Sequence, residues 1–260
     1  MTQGTILTEH KEGTLTITLN RPEVHNAFSD QLITDLIACF ATLQTDTTVH
    51  TVVLTGAGKS FCAGADLNWM KQMRHYTKEQ NIEDSRKILS LYQTIAACSK
   101  PVIGRINGPA FGGGVGLVAV CDLVVTVPDA KFGFTEVKLG LIPAVISSFV
   151  AQRLTPAAMR RFFMTGERFD ATTAHTIGLV DAIAPAESID QTIQAWTTQL
   201  RSSGPKAISE VKALITAMHN LDPEDYREFT VEKIASLRVS PEGQEGMGAF
   251  LEKRKPAWSD

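Results

Sequence analysis

The chain has 260 residues, enough for one large domain or for one domain with a smaller appended layer. Apolar residues make up 43% and charged residues 20%, the balance of a globular protein and not of a disordered chain. A formal net charge of -3 and a pI near 6.1 leave no electrostatic footprint for nucleic acid or an anionic membrane, and no apolar run reaches the roughly 18 residues that a bilayer span takes.

In chain order, Thr14 to Leu19 reads TLTITL, a β-branched, period-2 strand that ends in the turn residues Asn20-Arg21-Pro22. Ser29 caps a helical stripe formed by Leu32, Ile33, Leu36, Ile37 and Phe40. An apolar strand at Thr51 to Thr55 is followed by a loop from Gly56 to Gly64, a short helix around Leu67 to Met73 and a longer one from about Glu79 to Ala97. Pro101 to Ile106 and Leu123 to Val127 are further apolar strands, separated by a run of glycines and a helix. Strands alternating with helices argue for an α/β class with a largely buried sheet. Beyond Thr155 helices predominate, at Glu187 to Leu200, Pro205 to His219 and Pro223 to Leu237, with one strand-like piece at Gly178 to Ile183. With no internal repeat and no low-complexity linker, residues 1-200 read as the α/β core and 201-260 as a helical layer of the same folding unit.

Cys39, Cys62, Cys98 and Cys121 show no C-x-x-C spacing, and Met1 to Thr8 shows no signal-peptide pattern. Reduced thiols in a cytoplasmic setting are therefore expected, with neither disulfides nor a metal site.

Two strand-to-helix junctions carry candidate chemistry. The first reads FCAGADL over residues 61-67 and the second AFGGGVGL over residues 110-117. The first N-H groups of a helix have no intrahelical partner and carry the positive end of its dipole, and glycine lets a guest approach them. Close helix-strand packing explains the glycines equally well, and Asp66 as an N-cap explains that carboxylate. The glycine spacing fits neither a phosphate loop nor a dinucleotide fingerprint. If the junctions converge, the N-H groups of Ala65 and Gly113 can bind one oxygen from two sides.

The runs AGADL, INGPAFGGGVGL and MTGERFDATTAHTIGLVDAIAP, with LNRPEVHNAF near the start and FLEKRKPAW near the end, resemble the enoyl-CoA hydratase/isomerase (crotonase) superfamily along essentially the whole chain. The resemblance implies a spiral of repeated β-β-α units with C-terminal helices that form a homotrimer, often a dimer of trimers. It implies an acyl-CoA thioester as substrate, with coenzyme A as its handle and no separate cofactor. Ala65 and Gly113 fall on the family's oxyanion hole, and Glu136 on its second catalytic glutamate. Substrate or coenzyme contacts are implied for His25, Ala27, Ala63, Asp66, Leu67, Gly112, Gly116, Pro143 and Lys253.

A glutamate in an apolar setting has its pKa raised, which suits Glu136 to general acid/base work. The family's first catalytic glutamate is missing, because the pattern G-G-G-x-E reads here Gly112-Gly113-Gly114-Val115-Gly116. Two readings follow: a hydratase that adds water to a 2-enoyl-CoA, and a Δ3,Δ2-enoyl-CoA isomerase in which Glu136 alone shuttles the proton. The runs AGADLNWMKQM, GGGVGL and LIPAVISSFV resemble methylglutaconyl-CoA and carboxygeranoyl-CoA hydratases of leucine and acyclic terpene breakdown, which puts the hydratase first. Gly116 is then expected to open space for a branched or carboxylated acyl group, with Lys71, Arg74 or Lys138 as its cation. A fold-retaining RNA binder is disfavoured by the acidic balance and by the presence of Glu136, Ala65 and Gly113 together.

Overall fold

The computed structural model describes residues 4-259; Met1 to Gln3, where the stretch read for a targeting signal begins, and Asp260 lie outside the described residues. The chain opens with a hairpin of β1 (Ile6–Lys11) and β2 (Thr14–Leu19). Helix α1 (Asp30–Thr42) returns it to β3 (Thr51–Gly56), parallel to β2. Helices α2 (Leu67–Met73) and α3 (Lys78–Ala96) precede β4 (Val102–Ile106); the short β5 (Ala110–Phe111) runs into α4 (Gly113–Ala119), and β6 (Leu123–Thr126) follows. Next come β7 (Lys131–Gly133), a 3-10 turn over Thr135–Leu139, α5 (Ala144–Val150), α6 (Pro156–Thr165), β8 (Phe169–Asp170), α7 (Ala171–Thr176) and β9 (Ala182–Ile183). Helices α8 (Ile189–Arg201), α9 (Pro205–Asn220), α10 (Pro223–Arg238) and α11 (Pro241–Leu251) end the chain.

The main sheet has the order β1-β2-β3-β4-β6-β9, parallel except at the hairpin, and a small sheet has the order β5-β7-β8. Every residue of β3 is buried, as a parallel strand covered on both faces requires. One cover is α1, whose Leu32, Ile33, Leu36 and Phe40 are buried and whose first turn is closed by Leu32 N-H donating to Ser29 Oγ at 3.2 Å. Each such buried side chain contributes about 1.5–3 kcal/mol.

Several elements differ from the sequence reading, β5, β8 and α5 among them. Strand β1 was not expected, because ILTEHK has no alternation and is almost wholly exposed; the turn at Gly13 (φ 72°) and the pairing with β2 define it. The strand-like run at 178–183 shrinks to β9, because Gly178 (φ 85°) ends α7 and Leu179 N-H turns back to Ala174 O at 2.9 Å.

The helical end is tied to the core at a few points. Lys212 Nζ donates to Asp122 Oδ2 at 2.7 Å and to Lys100 O at 3.0 Å. Glu242 accepts the N-H groups of Lys206 and Ala207 at 2.9 and 2.8 Å and so caps α9 from α11. Neither α9 nor α10 contains a buried residue, and Val211, Ile215, Met218, Val231, Phe250 and Leu251 are exposed.

All four cysteines are free; Cys39 is half-buried and Cys62, Cys98 and Cys121 are buried. Burial pushes the thiols of Cys62 and Cys121 up to about 12. Among the described residues, no helix is long and apolar enough to cross a membrane.

Candidate active site

The two junctions meet edge to edge. Cys62 N-H donates to Pro109 O at 3.2 Å and Phe111 N-H donates to Cys62 O at 3.0 Å, a parallel bridge that carries the small sheet across to the first junction. On the far side, Phe28 N-H donates to Gly64 O at 2.7 Å and Asp66 N-H to Phe28 O at 3.0 Å. Residues 61–66 are thus clamped between 25–28 and 109–111. The approach is close: a Cβ on Gly64 would lie 2.9 Å from Phe111 O and 3.8 Å from Gly113 N.

These bonds use the N-H groups around the two predicted donors but not the donors themselves. Phe28 pairs with Gly64 and Asp66 and passes over Ala65, while Gly112 N-H donates to Gly133 O at 2.9 Å and leaves Gly113 as the first residue of α4. Among the described residues, neither the Ala65 nor the Gly113 N-H has a backbone acceptor. Gly112 makes the second junction possible: its φ of 51° and ψ of -123° lie where side-chain-bearing residues are not found.

Glu136 faces the same point from the 3-10 turn after β7. A Cβ on Gly112 would lie 3.3 Å from Glu136 Oε1, so the carboxyl group rests against the residue preceding Gly113. Its Oε2 is buried without a hydrogen-bond partner. Burial raises its pKa from the ordinary carboxylate value, opposed only by its own backbone N-H. An unpartnered buried carboxyl oxygen costs stability, and a titratable group perturbed by burial beside such a junction is a candidate for chemistry.

Gly116 is a correction. It is buried and opens no space: a Cβ there would lie 2.5 Å from Ile146 Cγ2 and 2.8 Å from both Cζ and Oη of Tyr92. The place of the missing glutamate is filled by a phenol from α3 and a methyl group from α5.

Several of the other residues expected to contact substrate also make structural bonds. Asp66 is buried; it caps α2 by accepting Asn68 N-H at 2.7 Å and pairs with Arg21 Nη2 at 2.8 Å, which together hold its carboxyl low despite burial. Ala27 is buried, and its carbonyl accepts from the same Arg21 guanidinium. His25 is exposed in a left-handed conformation, with Nδ1 3.0 Å from Ser60 Oγ and its carbonyl accepting Ala63 N-H. Pro143 is buried at the start of α5. Ala63 and Leu67 remain exposed beside Ala65. Lys253 lies exposed past α11, and its neighbour Arg254 is committed to Glu245 at 2.6 Å and Glu252 at 2.8 Å.

Sequence reasoning missed Tyr92 and Asn26. Asn26 is buried and pins the turn before Ala27 to the 57–60 loop, donating to Ala57 O at 2.9 Å and Ser60 O at 2.8 Å. Its left-handed φ of 55° is a conformation for which asparagine is enriched. A cleft of about 660 Å³ between α1, α2 and α3 is lined by Arg21, Asp66, Trp69 and Asp84 among others. It includes none of Ala65, Gly113 and Glu136, so the candidate chemistry lies outside it.

Residues 9–260 match the family model for enoyl-CoA hydratase/isomerase. The enoyl-CoA hydratase AKT6-1 of Alternaria alternata is 35% identical over 250 residues, 94% of this chain and 80% of that protein. Among solved structures, an enoyl-CoA hydratase from Shewanella pealeana superposes with a TM-score of 0.93 at 35% identity, covering 98% of this chain and 96% of that one. AtuE of Pseudomonas aeruginosa superposes with a TM-score of 0.94, also at 35% identity, covering 98% of this chain and all 100% of the other.

Proposed function

The chain belongs to the enoyl-CoA hydratase/isomerase family, and from that premise we propose that it adds water to a 2-enoyl-CoA thioester with Glu136 as its sole carboxylate. One observation carries the reading. The unpartnered Glu136 Oε2 lies beside a junction whose N-H groups at Ala65 and Gly113 have no backbone acceptor.

In this mechanism the two N-H groups donate to the thioester oxygen and stabilise the enolate that forms as the β-carbon is attacked; each such donor is worth about 10²–10³ in rate. Glu136 starts as a carboxylate and takes a proton from water, whose oxygen bonds to the β-carbon. The glutamic acid then returns that proton to the α-carbon, the enolate collapses to the thioester, and Glu136 is a carboxylate again. Both new bonds form on the side of the double bond that faces Glu136, so addition is syn. The raised pKa of Glu136 brings its acid and base forms closer in energy than those of an ordinary carboxylate.

A second reading, Δ3,Δ2-isomerisation, is favoured by the filled position at Gly116, because moving a proton between carbons needs one carboxylate and no water. The acyl class we propose is branched or carboxylated. Its support is the resemblance of residues 63–73, 112–117 and 141–150 to methylglutaconyl-CoA-type hydratases, with the exposed Lys71 and Arg74 on or next to α2 as cations for an acyl carboxylate. Assembly as a homotrimer or dimer of trimers belongs to the same proposal, supported by the exposed apolar side chains of α9 to α11.

The test is a spectrophotometric comparison of crotonyl-CoA, 3-methylglutaconyl-CoA and 3-hexenoyl-CoA. Hydration removes the conjugated absorbance of either of the first two, with the carboxylated substrate preferred. Gain of that absorbance from 3-hexenoyl-CoA without hydration assigns the isomerase instead. Glu136→Gln is expected to lower kcat by about 10³-fold while acyl-CoA binding persists; full activity in this variant would overturn the assignment.

A further inference from the structure

The replacement of a glutamate side chain by packing at Gly116 directs attention to the group that does the packing. Tyr92 belongs to α3 and is fully buried. Its hydroxyl donates to Gly113 O at 2.8 Å, and burial holds the phenol well above its ordinary pKa, so it remains a protonated donor. Its ring meets Phe28 edge to face, with centroids 6.4 Å apart at 81°, and is backed by Phe149 at 5.7 Å.

Those contacts reach both junctions at once. Phe28 is the residue whose backbone brackets Ala65, and its ring would lie 2.7 Å from a Cβ on Gly113, with the Tyr92 hydroxyl 2.9 Å from that same point. The phenol therefore stands under Gly113 and behind Gly116, one helical turn further along. It touches the segment that brackets Ala65 through Phe28 and holds Gly113 directly. No other buried side chain donates to Gly113 O among the described residues.

We infer that Tyr92 is a positioning residue for the oxyanion hole: it occupies the volume that Gly116 gives up and fixes the spacing between the Ala65 and Gly113 N-H groups. The inference rests on the reading that those N-H groups hold a thioester oxygen. It gives the glycine at 116 a reason other than substrate room, since any larger residue there must displace the phenol that orients Gly113.

Removing one oxyanion donor costs about 10²–10³ in rate; loosening one should cost less and should act on the transition state rather than on binding. Tyr92→Phe, which keeps the ring and deletes the hydroxyl, is expected to lower kcat for the enoyl-CoA substrate about tenfold, with KM changed by less than about twofold. Rates are referred to active sites counted by acyl-CoA binding, so that a loss of folded protein does not imitate the effect. In the Glu136→Gln background, the infrared carbonyl band of bound crotonyl-CoA is expected to move toward its position in free crotonyl-CoA when Tyr92→Phe is added. Unchanged kcat and an unchanged band, or a raised KM at constant kcat, would overturn the inference. If Tyr92→Phe does not fold, Gly116→Ala, which crowds the hydroxyl and leaves it present, must give the same kcat loss and band shift for the inference to stand. A wild-type protein that turns over none of the three enoyl-CoA substrates refutes the proposed function instead; the band still reports on Tyr92 because it needs binding and no turnover.

Discussion

Helix α4 has 7 residues and buries all of them except Gly113, whereas α9 has 16 and buries none. The short helix is shaped by what surrounds it. A Cβ on Gly114 would lie 2.2 Å from Cys62 O, and one on Gly116 would strike Tyr92 and Ile146, so its glycines are where neighbouring backbone and side chains come in. The long helix is shaped from within, by Pro205 in its first turn and by a mixed apolar and charged pattern. It is attached through single contacts such as Lys212 to Asp122. Interior packing dictates sequence nearly residue by residue, while a surface helix needs only a face that suits whatever covers it.

The contrast can be broken most sharply at Gly114. Gly114→Val should force the first junction away from α4 and destabilise the fold by about 3 kcal/mol or more, read as a lower denaturant midpoint; a midpoint like that of the wild type would show that the junction yields. On the other side, if the proposed trimer forms through α9 to α11, Ile215→Asp should leave far-UV circular dichroism unchanged and reduce the sedimenting mass to that of a monomer. Lys212→Met should cost about 1–2 kcal/mol, the worth of a hydrogen bond to a charged group at a partly buried pair.

The smallest effect concerns the charge beside α4. Burial raises the pKa of Glu136 in the folded state, so folding favours its protonated form, and that contribution is lost as pH rises through the raised value. Glu136→Gln should therefore match the wild type in thermal stability at acid pH and exceed it at neutral pH. For the same reason the acid limb of the wild-type rate profile should have its midpoint above the ordinary carboxylate range.

Much of this could be read in the residues. The apolar stripe of α1, the Ser29 cap, the buried β3 and the two glycine-bearing junctions are all local patterns, whereas Glu136 stood out only through the family resemblance. Of the small sheet only the strand piece near Lys131 to Phe134 was legible; β5 and β8 have 2 residues each and exist only through pairing. The meaning of Gly116 escaped because it is set by Tyr92, 24 positions earlier. A glycine inside a helix says that something comes close, and only the fold says what. Asp66 was half legible: N-cap chemistry announced its bond to Asn68, but the Arg21 guanidinium reaches it from 45 residues away.

The buried thiols have a practical consequence. Cys62 lies in the seam between the two junctions, and Cys121 closes the far end of α4 by donating to Leu117 O at 3.1 Å. With both thiols pushed up to about 12, alkylation at neutral pH requires the seam or the helix end to open first. Timed labelling followed by peptide mass spectrometry thus reads the opening rate of each place separately. Slower labelling of Cys62 than of Cys121 on adding acyl-CoA would locate the stiffening at the joint proposed to hold the thioester oxygen.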